Sequence, residues 1–289
     1  TAVLVYKIKP ESALLYTLAP TGILSLFINW DLWAIVTTLL AIYWFDRKQE
    51  LASAAILGVS IATKFFPIVL LLPIAIIYIR RQEVKNGIRY IATALGTFVA
   101  INIPFALTTP TGWWRFYDLN LHREADWGSI WYALSVFGLN LSHINYFAIL
   151  TLLIGVAVVA IFLLQTKETL SLAESSIFIF IVLMTVSKVY SPQYVLWLTP
   201  LVVLALRDKR DLAWFWFWQI AEVIYHLAIW QHLALLTGAH FGLPVKAYAA
   251  IALFRISAAI ALAVALARRH RSSGSFPREF LLSSGESYP

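Results

Sequence analysis

Cysteine is absent from this chain of 289 residues, so no disulfide can staple it, no thiolate can hold a metal and no thiol can serve as a nucleophile. Charge is scarce, at 13% Asp, Glu, Lys and Arg against about 25% in ordinary soluble proteins. A Walker loop, a His-x-x-x-His zinc pattern, a Gly-x-Ser-x-Gly elbow and a dinucleotide fingerprint are all missing. Without a nucleotide-cradling loop, any group transfer would draw on a substrate other than a soluble nucleotide sugar. What the chain has in abundance is apolar surface, with 61% hydrophobic residues and a mean hydropathy of +0.77. These figures exclude a soluble globular domain and a disordered chain, and leave an all-α polytopic membrane protein.

A span of roughly 30 Å of hydrocarbon needs about 20 apolar residues in a helix. The runs 89–107, 144–164, 212–234 and 245–267 meet that length. Longer stretches are interrupted: 12–45 by Pro20 and Asp31, 51–79 by Lys64 and Pro67, and 175–206 by Lys188 and Pro192. Each reads as two helices with a break, which makes about ten membrane helices. If the basic segments 7–11, 46–50, 80–89, 165–174, 207–211 and 268 onward face the cytoplasm, 16 of the 22 Lys and Arg lie inside, as the positive-inside rule expects. The net charge of +7 then reflects membrane orientation and gives no reason to expect a nucleic-acid partner. Arms of about 14 residues reach only about 21 Å, so two of the hairpins should keep their tips, near Lys64 and Lys188, inside the protein beside an outward cavity. The alternative is that both lysines snorkel to the interface. The expected organisation is a multi-pass membrane domain over 1–270 and a disordered cytoplasmic tail over 271–289. The first eight residues read like the end of a membrane helix, which suggests a longer protein.

Candidate chemistry sits at the outer breaks. The segment 108–145 combines aromatics suited to an interface with His122, Arg123, Glu124 and Asp126 within five positions. Those residue types can hold a phosphate and move a proton, as well as simply face water. Asp31 opens a helix, where an acid favours the dipole, and could also face the cavity. Glu222 and His226 are one turn apart, with Gln219 on the same face. Glu222 lies about 18 Å and Arg255 about 15 Å below the outer ends of successive helices, so the two should pair as a structural unit, leaving His226 to face the cavity.

The stretch Ser187-Lys188-Val189-Tyr190-Ser191-Pro192-Gln193-Tyr194-Val195-Leu196-Trp197 resembles the Lys-x-x-Ser-Pro-Gln-Tyr-x-x-Trp signature of glycosyltransferase family 87. Asn29-Trp30-Asp31 and the 54–67 stretch ending Lys64-Phe65-Phe66-Pro67 are similar to other parts of that family, and the His122-Arg123 to Ser129-Ile130-Trp131 run matches more weakly. The resemblance implies a GT-C bundle and an inverting mannosyltransferase-like enzyme at the cell envelope. Such an enzyme takes a sugar from a polyprenyl-phosphate donor and passes it to a lipid-linked or glycan acceptor on the extracytoplasmic side of the plasma membrane. Carried over residue by residue, Lys64, Arg123 and Lys188 would meet the donor phosphate, while His122, Gln193, Tyr194 and His226 would contact sugar or acceptor. Asp31 is the remaining catalytic acid of this chain, and the main base is expected upstream of Thr1. No metal ligands are assigned, and no cofactor is identified, with a divalent metal left open. A lipid-linked glycan flippase and a non-catalytic membrane scaffold are the competing functions.

Overall fold

The computed structural model describes residues 1–270, and the expected tail over 271–289 lies outside the described residues. Among the described residues every regular element is helical. In chain order they are α1 (Ala2–Ile8), α2 (Ala13–Thr17), α3 (Pro20–Ser25), α4 (Asp31–Asp46), α5 (Glu50–Thr63), α6 (Leu71–Arg80) and α7 (Val84–Thr108). The second half continues with α8 (Pro110–His122), α9 (Ile130–Val136), α10 (Ile144–Gln165), α11 (Leu172–Val186), α12 (Val195–Ala205), α13 (Lys209–Leu236) and α14 (Val245–Arg268). Four of them, α7, α10, α13 and α14, are long and apolar enough to cross a membrane. They coincide with the four uninterrupted apolar runs.

Local chemistry explains where the shorter helices start and stop. Ser171 caps α11 by accepting the Glu174 amide at 3.2 Å, the first half of a Ser-x-x-Glu box. Asp208 caps α13 by accepting the amides of Arg210 and Asp211 at 2.9 and 2.8 Å. Helix α5 stops at Thr63, where Lys64 turns extended, and Pro67 sits in a single 3-10 turn before α6. Pro192 plays the same part before α12: it lacks the amide proton a continuing helix would need.

The core runs through α4, α5, α11 and α12, with α13 and α14 packed as an antiparallel pair beside them. Helix α5 also lies against α7, where Gly58 allows the approach: a Cβ there would collide with the Ala94 carbonyl and come within 2.6 Å of Thr97 Cβ. By contrast α10 turns Leu150, Leu153, Ile154, Val158 and Ile161 outward, each more than half exposed. An apolar face of that extent would be a liability in water and is ordinary against lipid.

The two ends of the bundle differ in chemistry. At one, the basic end, the buried Glu174 receives Arg207 at 3.0 Å and Arg269 and His270 at 2.9 Å, while Asp211 also takes Arg269. Lys9 reaches the Leu204 carbonyl at the C-terminus of α12, and Arg80 reaches the Leu163 and Thr166 carbonyls at the end of α10. A cation on the exposed carbonyls of a helix C-terminus satisfies orphan acceptors and the dipole together. The other end carries the breaks at 26–30, 64–65 and 187–191 and the segment 109–143, and there the candidate chemistry lies.

Candidate functional site

Three stretches far apart in the chain meet at this second end. Asp31, the first residue of α4, pairs through Oδ1 with Lys64 Nζ from the α5 break, and its Oδ2 accepts the Trp197 indole N–H at 2.7 Å from α12. Trp197 is held flat between two rings: Phe66 stacks on it at 3.7 Å between centroids and Tyr194 at 3.8 Å. The break after α5, the start of α4 and the turn before α12 are thus joined by one carboxylate and one indole.

Asp31 does not face an open cavity, the second of the two readings that the sequence offered. It is fully buried, with one oxygen on an ammonium and the other on an indole. The physical reason is that a buried carboxylate must be paired, and Lys64 is the cation that the neighbouring break supplies.

The adjoining turn carries a second carboxylate that reaches solvent. Asp126 has a quarter of its side chain exposed; its Oδ2 accepts Arg123 at 3.2 Å and Ser191 Oγ at 3.5 Å, and its Oδ1 accepts the Trp127 amide at 2.9 Å. Its own amide donates to the Lys188 carbonyl at 2.8 Å, tying the 123–129 turn to the 187–191 loop. The Tyr194 hydroxyl lies in the combined field of Asp31, Arg123, Asp126 and Arg255.

Lys188 has a different employment from the one expected. Its ammonium donates to the Arg123 carbonyl at 2.6 Å and the Asn120 carbonyl at 3.0 Å, the last acceptors of α8. It is the same C-terminal clasp that Lys9 and Arg80 make at the basic end. Burial, and then the positive charge of Arg123, push this loop lysine below its usual pKa. Arg123 is the most exposed of the three expected phosphate cations.

The remaining expected residues do not all converge. Gln193 is buried in the turn before α12, beside Tyr194. His122 projects from α8 and pairs with Asp118 in its own helix at 3.1 Å. His226 is not free to face a cavity: its Nε2 bonds Ser25 Oγ and its Nδ1 the Glu222 carbonyl, both at 2.7 Å, so it fastens α13 to α3. The expected pair is present, with Arg255 Nε donating to Glu222 Oε2 at 2.8 Å and both side chains fully buried. Arg255 also donates to the carbonyls of Tyr190 and Ser191 at 2.9 and 3.1 Å, and lies 3.5 and 4.0 Å from the ring centres of Tyr190 and Tyr225. It therefore shapes the loop that carries the signature residues. Trp197 was available as the last residue of the Gln-Tyr-x-x-Trp run, and Asp126 as the acid three positions after Arg123. Neither could be singled out without the contacts across the chain. Among the described residues no three His, Asp or Glu side chains gather as a metal-binding group.

The turn at 126–129 fits this loop because Gly128 has no side chain. A Cβ there would run into the Tyr190 carbonyl and come within 2.5 Å of the Tyr225 hydroxyl. Gly128→Ala is expected to cost about 1–3 kcal/mol through overpacking. It should lower the melting temperature in detergent and expose the 187–191 loop to protease; a variant that melts and digests like the parent would contradict the close fit.

Compared with family models, curated proteins and solved structures, the chain matches none of them.

Proposed function

We propose that the protein is a membrane glycosyltransferase that takes a sugar, mannose in the first instance, from a polyprenyl-phosphate donor. The acceptor is a lipid-linked or envelope glycan on the extracytoplasmic side of the plasma membrane. The observation that carries this reading is the joining of Asp31, Lys64 and the 187–197 stretch in one cluster. These are the stretches in which the sequence resembles family 87, and their contacts do not follow from apolar patterning. In this reading the basic end faces the cytoplasm, about ten helices lie in the membrane, and the α5–α6 and α11–α12 hairpins bring their tips inside the protein.

Sugar transfer with inversion needs a base for the acceptor hydroxyl and positive charge for the departing phosphate. Asp126 is the partly exposed carboxylate of the cluster and, in place of the base expected upstream of Thr1, would take the hydroxyl proton as the acceptor oxygen bonds the anomeric carbon. Arg123 and Lys64 would stabilise the phosphate as it leaves with the bonding electrons. Gln193 and Tyr194 would line the sugar position. Asp31 would hold Lys64 and Trp197 in place as a positioning residue, and Lys188 would hold the end of α8. A divalent metal is not assigned a role.

The test is reconstitution of the whole protein into vesicles with labelled polyprenyl-phosphate mannose and a membrane lipid and glycan extract as acceptor. Labelled glycan product is the expected result. Label that crosses the bilayer without product would replace the transferase with a flippase, and neither outcome would leave a scaffold.

A further inference from the structure

Helices α10 and α14 both pack on α11 and leave a cavity of about 570 Å³ between them, lined by none of Asp31, Lys64 and Trp197. Its wall is Phe162 on α10, Phe178 and Ile181 on α11, and Ile260 and Val264 on α14; the one polar residue among the apolar ones, Thr185, gives its hydroxyl to the Ile181 carbonyl at 2.7 Å. Nothing in this wall asks for a polar ligand. Arg268 closes the line at the basic end.

The cations around Arg268 are spent. Arg207, Arg269 and His270 are all paired with Glu174, and Arg269 also with Asp211. Arg268 is exposed, and no hydrogen bond or ion pair engages its guanidinium among the described residues. The lining stretch of α14 from Ile260 to Arg268 rises about 12 Å, close to the roughly 15 Å depth of one leaflet's hydrocarbon. The apolar length therefore begins at a free cation and ends near the middle of the bilayer.

We propose that this groove is the seat of an anionic phospholipid of the leaflet at the basic end, with its phosphate on Arg268 and one acyl chain between α10 and α14. Charge complementarity selects the headgroup, and the apolar wall, one leaflet deep, selects a hydrocarbon chain. An arginine matches a phosphate through paired N–H donors. The lipid would take the place of missing helix–helix contact and fix α10, which otherwise buries only Val159 and Leu163.

The experiment is native mass spectrometry of the full chain released from nanodiscs containing equal phosphatidylglycerol and phosphatidylcholine. The parent protein should retain one phosphatidylglycerol in preference to phosphatidylcholine. Arg268→Gln should reduce that preference about five-fold, the effect of one basic residue at an anionic surface. Ala263→Phe, which fills the groove, should remove the retained lipid of either kind. Arg210→Gln, at an exposed cation of the same end outside the groove, should leave retention unchanged. Equal retention of the two lipids by the parent would overturn the proposal, as would preference that survives both groove variants. An equal loss in Arg210→Gln would replace the site with a diffuse basic surface.

Discussion

Arg255→Met should destabilise the protein by about 3–5 kcal/mol, because it leaves the Glu222 carboxylate buried without its cation. Glu222 would keep only the Tyr190 hydroxyl at 2.9 Å and the Trp218 indole at 3.2 Å, neutral donors that do not offset a buried charge. The carbonyls of Tyr190 and Ser191 lose their donor in the same step. Glu222→Gln should cost less, since Arg255 retains those two carbonyls and the faces of Tyr190 and Tyr225. The double variant Arg255→Met with Glu222→Met should recover much of the stability, as replaced buried pairs often do. It should leave the 187–191 loop without its anchor. Melting in detergent and hydrogen exchange at the loop separate the two effects. A loss below about 1 kcal/mol for Arg255→Met would show that the pair is solvated.

Elements set by composition and periodicity alone were legible in the sequence. The four uninterrupted apolar runs are the four long helices, and the breaks fall at Lys64 and at 187–191, where a proline closely follows. Depth counting from helix ends was enough to pair Glu222 with Arg255, because antiparallel neighbours with equal depths have few other choices. What could not be read was the direction in which each charge is discharged. Lys188 carries the same motif position whether it meets a phosphate or the last carbonyls of α8, and only the packing of α8 against the loop decides for the carbonyls. His226 looked free because its partner Ser25 lies on a short helix about 200 residues earlier in the chain. Asp31 looked open because its two partners come from elsewhere in the chain, Lys64 from the α5 break and Trp197 from α12. Local pattern thus predicts where helices run and stop, whereas satisfaction of buried polar groups depends on contacts that pattern does not encode.

The carboxylates should divide their labour in a way that kinetics can resolve. Asp126→Asn keeps the shape of the side chain and an oxygen to accept from Arg123, but it removes the lone pair that would take the acceptor proton. Loss of a general base costs about 10²–10⁴-fold in turnover, so the variant should lose activity by that factor while melting within about 0.5 kcal/mol of the parent, as expected for a partly exposed group. Asp31→Asn has the opposite signature. The neutral amide can still accept the Trp197 indole, but Lys64, a quarter exposed, loses the one charge it pairs with among the described residues, and stability should fall before chemistry is tested. Combining Asp31→Asn with Lys64→Met should restore stability without restoring turnover, since one of the two phosphate-binding cations is then gone. If Asp31→Asn melts normally and is inactive while Asp126→Asn turns over at the parental rate, Asp31 is the base after all, and the burial seen here opens when substrate binds.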